Sequence, residues 1–367
     1  MKNLLITGGA GFIGNYVSNF AYKKGYNVTI LDNLDQQVHG AEQLWPDYLH
    51  EGINKIFGDV RDSKLVNELV AKNEYIIHLA SAVGVGQSMY KVEHYTSVNS
   101  LGTGILLQAI VNNKDNVKKL ILASSMSVYG EGSYLDTNGI LSFPEERKES
   151  DMINLNWDFD GYKPIPTKED KPLKPSSIYA LNKREQEENC LCIGKTYNIP
   201  TLAFRMFNVY GPYQALSNPY TGVVAIFSSH ILSNKSPVIY EDGLQMRDFV
   251  YVEDVANAYI DGLQTDFEGQ HILNVGSGEQ INIYDVAEEL SKILQFDGKP
   301  EVSNKFRSGD IRNCFGDITK IKEVIGWEPK HSMNEGMKKL LNWLVNVQKD
   351  NLGSDASSDL EKFGLLK

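Results

Sequence analysis

The opening of the chain constrains its fold most. Lys2-Asn3-Leu4-Leu5-Ile6-Thr7 is apolar between polar flanks and runs directly into Gly8-Gly9-Ala10-Gly11-Phe12-Ile13-Gly14. A helix-like stretch from Asn15 to Lys24 follows. A short apolar run closed by glycines reads as a buried parallel strand. Gly8, Gly11 and Gly14 stand three apart. The first permits a tight turn, the second lets backbone approach a pyrophosphate, and the third lets helix pack closely on strand. The helix N-terminus then offers amide donors to phosphate oxygens. This unit predicts an α/β fold built on a Rossmann-type, doubly wound parallel sheet.

The next elements extend that reading. Val28-Thr29-Ile30-Leu31 predicts a second strand, and Asp32 stands at its end, 32 − 14 = 18 residues beyond Gly14. An acid there accepts hydrogen bonds from ribose hydroxyls and repels a 2′-phosphate. No Lys or Arg follows until Lys55, so the expected cofactor is NAD rather than NADP. Lys55 to Val60 reads as a third strand, with Asp59 placed to meet an adenine amine. Tyr75 to Ala80 reads as a fourth, leading into the small residues Ser81, Ala82 and Gly84. His78 lies among apolar neighbours and reads as a core histidine. Lys119 to Ser125 predicts a fifth strand ending in hydroxyls, at the carboxyl edge where ligands sit in such sheets. The expected cofactor contacts are Gly8, Gly11, Phe12, Ile13, Gly14, Asp32, Asn33, Asp59, Val60, Leu79, Ala80, Ser81, Asn99, Tyr179 and Lys183.

Of nineteen tyrosines, Tyr179 alone has a lysine at i+4, Lys183. On a helix that spacing places both side chains on one face. An ammonium beside a phenol favours the phenolate and draws the tyrosine pKa from about 10 towards neutrality. Such a tyrosine is a candidate general base. Ser125, at the end of the fifth strand, stands where a substrate would meet the nicotinamide.

These segments, with HLA at 78–80, SMSVYG at 125–130, YALNK at 179–183, FNVYGP at 207–212 and RDFVYVEDVA at 247–256, resemble the extended short-chain dehydrogenase/reductases. The branch is that of nucleotide-sugar epimerases and dehydratases, and the resemblance runs from Met1 to about residue 345. It implies a catalytic set of Ser125, Tyr179 and Lys183. It also implies a substrate site including Ser125, Met126, Ser127, Tyr179, Asn208, Asn218, Arg247, Arg307 and Asp310. Asn208 would meet the substrate near its phosphates, Arg247 and Arg307 would clamp the diphosphate, and Asp310 would hold a ribose. The related 4,6-dehydratases carry Asp-Glu directly after the serine. Here Met126 and Ser127 stand there, which disfavours dehydration. Oxidation at a carbinol carbon with return of the hydride remains: 4-epimerisation is expected, with an epimerase of another carbon or base or a 4-keto reductase as alternatives, and a non-catalytic NAD sensor competes with all of them. The strings LDNLDQQVHG, GVGQSMY, SMSVYGEG and QALSNPYTGVVAIF are similar to dTDP-L-rhamnose 4-epimerases. Those relatives often carry cysteine pairs in a long insertion that has none here, so no metal is expected.

The net charge of −11 disfavours nucleic acid or an anionic membrane as partner. No apolar run spans a bilayer and no signal-peptide pattern opens the chain. Three cysteines, Cys190, Cys192 and Cys314, make no disulfide framework, and a reducing cytoplasm is expected. Residues 1–200 are expected to form the NAD-binding domain, 201–345 mainly an intertwined substrate lobe, and 346–367 a frayed tail. Forty-eight residues separate Gly130 from Tyr179, and 131–176 reads as an inserted loop near the site mouth, a substrate lid, an oligomer contact or a tolerated surface addition. Val98, Leu101, Ile105, Leu106 and Ala109 lie at largely helical spacing, as does the Tyr179 helix through Leu181, Cys190, Leu191 and Ile193, and the resemblance implies that these two helices pair with their counterparts in a homodimer. Those residues could equally face the chain's own sheet.

Overall fold

A computed structural model describes residues 2–215, 222–307, 309–346 and 357–367, with nothing placed for the side chain of Ser357. Its centre is a seven-stranded sheet in which every pairing is parallel. The first five strands in the chain are β1 (Asn3–Thr7), β2 (Asn27–Asp32), β3 (Asn54–Phe57), β4 (Tyr75–His78) and β5 (Lys119–Ser125). β1 lies between β2 and β4, β3 closes one edge, and β5 continues the other side through Thr201–Met206 to Gln270–Val275.

The strand sequences are apolar on both faces because both are covered, and alternate residues feed two separate cores. Leu4 and Ile6 of β1 enter one core with Val17, Val255 and Tyr259, while Leu5 enters the other with Val66, Leu106 and Ile110. β5 divides the same way: Ile121 joins the first core, Leu120 and Leu122 the second. Each buried aliphatic side chain contributes roughly 1.5–3 kcal/mol to folding. The parallel register brings Thr7 level with His78 and Ser125 level with Met206, so the strand ends open on one edge.

Two boundaries differ from expectation. The sheet does not end near residue 200, since Thr201–Met206 and Gln270–Val275 are its last two strands. The second lobe is therefore looped out of the sheet rather than appended to it. Residues 131–176 are also more ordered than their composition suggests. Ser133–Leu135 pairs antiparallel with Leu141–Ser142 and Lys163–Ile165, and a short helix spans Glu149–Ile153. Strands of two or three residues are too short for periodicity to reveal. What fixes the insertion is long-range burial: Met152 and Trp157 pack on Phe306, and Arg147 pairs with the buried Glu241 at 2.7 Å.

The expected frayed tail divides as well. Residues 347–356 lie outside the described residues, but Ser357–Lys362 is helical, and Leu360 and Leu366 are buried against Tyr240. No helix among the described residues is long and apolar enough to cross a membrane.

Candidate active site

A cavity of about 500 Å³ opens along the carboxyl edge of the sheet. The glycine loop forms its floor between β1 and the helix Phe12–Lys23. Gly8 has φ +72°, and a Cβ there would stand 2.7 Å from the amide nitrogen of Ala80. A Cβ on Gly14 would collide with the Gly8 carbonyl oxygen. The loop is thus closed against the β4 exit, and only an unsubstituted backbone fits. Gly11 is the open position: its Cβ would meet nothing nearer than 3.4 Å. The space beside a helix N-terminus suits a pyrophosphate.

Asp32 is buried and already oriented, accepting from the amides of Ala10 and Leu34, both at 2.9 Å. A carboxylate keeps further lone pairs for a ribose diol. Asn33 donates to Asp59 at 3.0 Å, and Arg61 grips the same carboxylate through Nε and Nη2 at 2.8 and 2.7 Å. The Arg61 hydrogen bond outweighs partial burial and holds the Asp59 carboxyl near 2. Asp59 and Val60 line the cavity with Leu79, Ala80 and Ser81. Asn99 does not. Its amide instead latches the loop, accepting from Ser81 Oγ and the Ala82 amide at 3.0 and 2.8 Å and donating to the Ala82 carbonyl. Its place is behind the cofactor wall, on a π-helical turn, Thr96–Leu101, that a strict 3.6 period could not announce.

The reacting end is built from β5 and the helix Ile178–Thr196. Ser177 caps that helix through the Ala180 amide, and Ser88 Oγ accepts the amide of Tyr179 at 3.0 Å. Tyr179 and Lys183 are both buried, and Lys183 Nζ lies 6.0 Å from the Tyr179 ring centroid. Ser125 Oγ accepts from the Ser127 amide and hydroxyl, at 3.2 and 2.9 Å, which leaves its own proton to be donated into the cavity. Met126 lines the cavity and packs beside Tyr129 and Phe207.

One electrostatic expectation is overturned. Burial pushes the Tyr179 phenol up to about 12, against a hydrogen bond from Ser125 that lowers it. The same burial pulls Lys183 down to about 7. Lysine proximity by itself therefore does not yield a phenolate. The ammonium meant to stabilise it is itself disfavoured by the low dielectric.

His78 proves to be a core residue, its two nitrogens 2.7 and 2.9 Å from the hydroxyls of Thr7 and Thr103, and burial holds it neutral with a pKa near 3. Gly276-Ser277-Gly278 is likewise structural: Ser277 and Gly278 donate to the buried carboxylate of Asp248.

The substrate residues divide. Asn208 lines the cavity, and its Oδ1 is buried without a partner among the described residues. Asn218 lies outside the described residues. Arg247, Arg307 and Asp310 are not part of the cavity lining and form their own cluster. Arg247 spends its guanidinium on the carbonyls of Met246, Arg312 and Ile311, whereas Arg307 is 43 % exposed and bound to Asp310 at 2.8 Å. Burial would raise the Asp310 carboxyl, but Arg307, Arg247 and Arg147 hold it low. Gln87, Ser88 and the buried Arg147 were not singled out from sequence. Nothing in local spacing marks them, because their partners lie far along the chain.

The sequence profile of the NAD dependent epimerase/dehydratase family matches residues 4–276. The dTDP-L-rhamnose 4-epimerase of Burkholderia thailandensis is 35% identical over 347 residues, covering 94% of this chain and 95% of that one. The UDP-glucuronate 4-epimerase of Thermodesulfobacterium geofontis is 31% identical, covering 94% and 96%. Among solved structures, the UDP-glucose 4-epimerase of Thermotoga maritima with UDP-glucose gives a TM-score of 0.77 at 28% identity, covering 94% of this chain and 98% of that chain. The Thermus thermophilus UDP-glucose 4-epimerase complex with NAD gives 0.74 at 28% identity, covering 94% and 100%. Over most of its length, then, the chain belongs to the NAD-dependent epimerase/dehydratase family of enzymes.

Proposed function

We propose that this enzyme is a nucleotide-sugar 4-epimerase acting through a transient 4-keto sugar, on dTDP-L-rhamnose or a related dTDP- or UDP-sugar. The observation that supports it most is the union of Ser125, Tyr179 and Lys183 with Asn208 around one cavity floored by the glycine loop. Where a dehydratase would need an acid and a base, Met126 packs on Tyr129 and Ser127 orients Ser125.

The glycine loop, Asp32 and the Ser81 loop would hold NAD. Bound there, the cofactor supplies a hydride acceptor for sugar C4 and gives the hydride back. The chain's own groups do the rest. Against the burial that raises its phenol, Tyr179 has to act as phenolate: it removes the proton of the 4-hydroxyl and returns it when the ketone is reduced, while Ser125, its acceptor sites occupied by Ser127, donates to the same oxygen. Lys183 Nζ, held by the Ala123 carbonyl at 3.0 Å, would hold the nicotinamide ribose. The keto sugar then turns in the cavity before reduction on its other face. Half-exposed Arg307 is the better placed diphosphate partner, since Arg247 is committed to backbone carbonyls.

A homodimer fits the exposed parts of the paired helices. Leu101 and Leu181 are 55% and 48% exposed, whereas Leu106, Ala109 and Cys190 turn into the chain's own core. The deciding experiment assays dTDP-, UDP-, CDP- and GDP-sugars by NMR with the purified protein and measures its bound NAD. Interconversion of a C4 epimer pair without net NADH is the expected result. Bound NAD with no turnover on any sugar would indicate a sensor and overturn the reading.

A further inference from the structure

Two parts of the chain lie outside the strand–helix rhythm, the 131–176 insertion and the 357–367 end, and both close on Phe306. From the insertion, Trp157 meets the Phe306 ring with centroids 6.1 Å apart. Arg147, gripping Glu241, also donates to the Asp310 carbonyl at 2.9 Å. From the chain end, the Phe306 amide and carbonyl exchange hydrogen bonds with the Lys367 carbonyl and amide, both at 2.9 Å, and Leu366 bridges to Arg307. Leu360 and Leu366 pack on Tyr240, the ring over which the Arg307 guanidinium lies at 5.4 Å. Lys367 Nζ reaches Glu149 of the insertion at 2.6 Å, tying the two additions together.

The other side of the same end reaches the first lobe. A Leu360 methyl would stand 2.8 Å from a Cβ on Gly86, so Leu360 occupies the space a side chain there would need. The Phe363 ring stacks on Tyr90, centroids 4.3 Å apart and planes within 6°. Gly86 belongs to the short helix Val85–Ser88, whose Val85 and Gln87 line the cavity and whose Ser88 holds the Tyr179 amide.

We propose that residues 357–367 are a positioning strap for the substrate site. The strap fixes Arg307 over Tyr240 and couples it to the helix Val85–Ser88, so that a nucleoside diphosphate meets a cation already in place. The inference rests on the reading of a nucleotide-sugar substrate with Arg307 on its diphosphate. Its physical basis is preorganisation: a side chain ordered beforehand costs nothing to immobilise on binding, worth roughly three- to tenfold in affinity for each.

The test compares the full chain with a chain stopped before Ser357, and with Phe363→Ala and Phe363→Tyr. UDP and dTDP are titrated calorimetrically, KM and kcat are measured on the active sugar, and hydrogen exchange is followed at Lys305–Arg307 and Gly86–Tyr90. Truncation should weaken UDP or dTDP and raise KM on the order of tenfold, with kcat and bound NAD little changed and both stretches exchanging faster. Phe363→Ala should move the same way, and Phe363→Tyr, which keeps the stack, should restore wild-type values. Unchanged affinity and unchanged protection in the truncated chain would overturn the strap. Failure of the full chain to bind either nucleotide would instead sink the substrate reading, and with it the purpose assigned to the strap.

Discussion

Lys183 Nζ donates to the carbonyl oxygen of Ala123 at 3.0 Å, two residues before Ser125, and so ties the helix that carries Tyr179 to the strand that ends in Ser125. One turn further on, Glu187 accepts from Ser124 Oγ at 2.7 Å and from Arg205 at 2.5 Å. The same helix face thus carries the chemistry and its anchorage. The consequences can be measured separately.

Tyr179→Phe removes the base without disturbing the amide bond to Ser88, which is made by backbone. Turnover should fall on the order of 10² to 10⁴, with bound NAD retained. Near-wild-type turnover measured by NMR would show that another group takes the proton.

Asp32→Ala should weaken NAD and relax discrimination against NADP, because the only carboxylate oriented by Ala10 and Leu34 is lost. Calorimetric titration of both cofactors checks this. A wild-type preference for NADP would contradict the role given to Asp32.

Lys183 gives a pH signature to the cofactor-free protein. Its folded pKa, about 7, lies below the ordinary 10.5, so between those values the unfolded chain binds more protons and stability rises with pH. Lys119 and Lys171, each pulled to about 8 by burial, contribute in the upper part of that window. The readout is therefore the difference between wild type and Lys183→Met. The variant's gain in Tm over wild type should be largest near pH 7 and shrink towards pH 10. A difference independent of pH would show that Lys183 titrates normally.

The Glu187–Arg205 pair is almost fully buried, with side chains 1 % and 2 % exposed. Glu187→Ala leaves the guanidinium without its carboxylate and Ser124 without its acceptor. Breaking one partner of such a pair costs about 3–5 kcal/mol, measurable by urea unfolding. A loss under about 1 kcal/mol, the range of surface pairs, would mean that Arg205 finds another anion.

Leu101→Glu combined with Leu181→Glu places charge on exposed apolar positions without touching the chain's own core. Light scattering should show twice the chain mass for wild type and a single chain for the double variant. A wild-type monomer at micromolar concentration would refute the paired-helix dimer.

The sequence alone determined the first five strands of the sheet, the glycine loop and the Tyr179–Lys183 pair, because each rests on local regularity. Lys119–Ser125 is legible as a strand from its own apolar run, and Tyr179 with Lys183 from one helical turn. Tertiary structure decided what depends on distant partners. Asn99 became a latch through a loop seventeen residues away, and Arg147 found Glu241 ninety-four residues on. The Tyr179 phenol was pushed up rather than down, since its environment is set by burial beneath two lobes and not by its neighbour at i+4. The insertion and the chain end show the same limit: two-residue strands, one tryptophan and a few leucines carry no period, and only their convergence on Phe306 gives them a place.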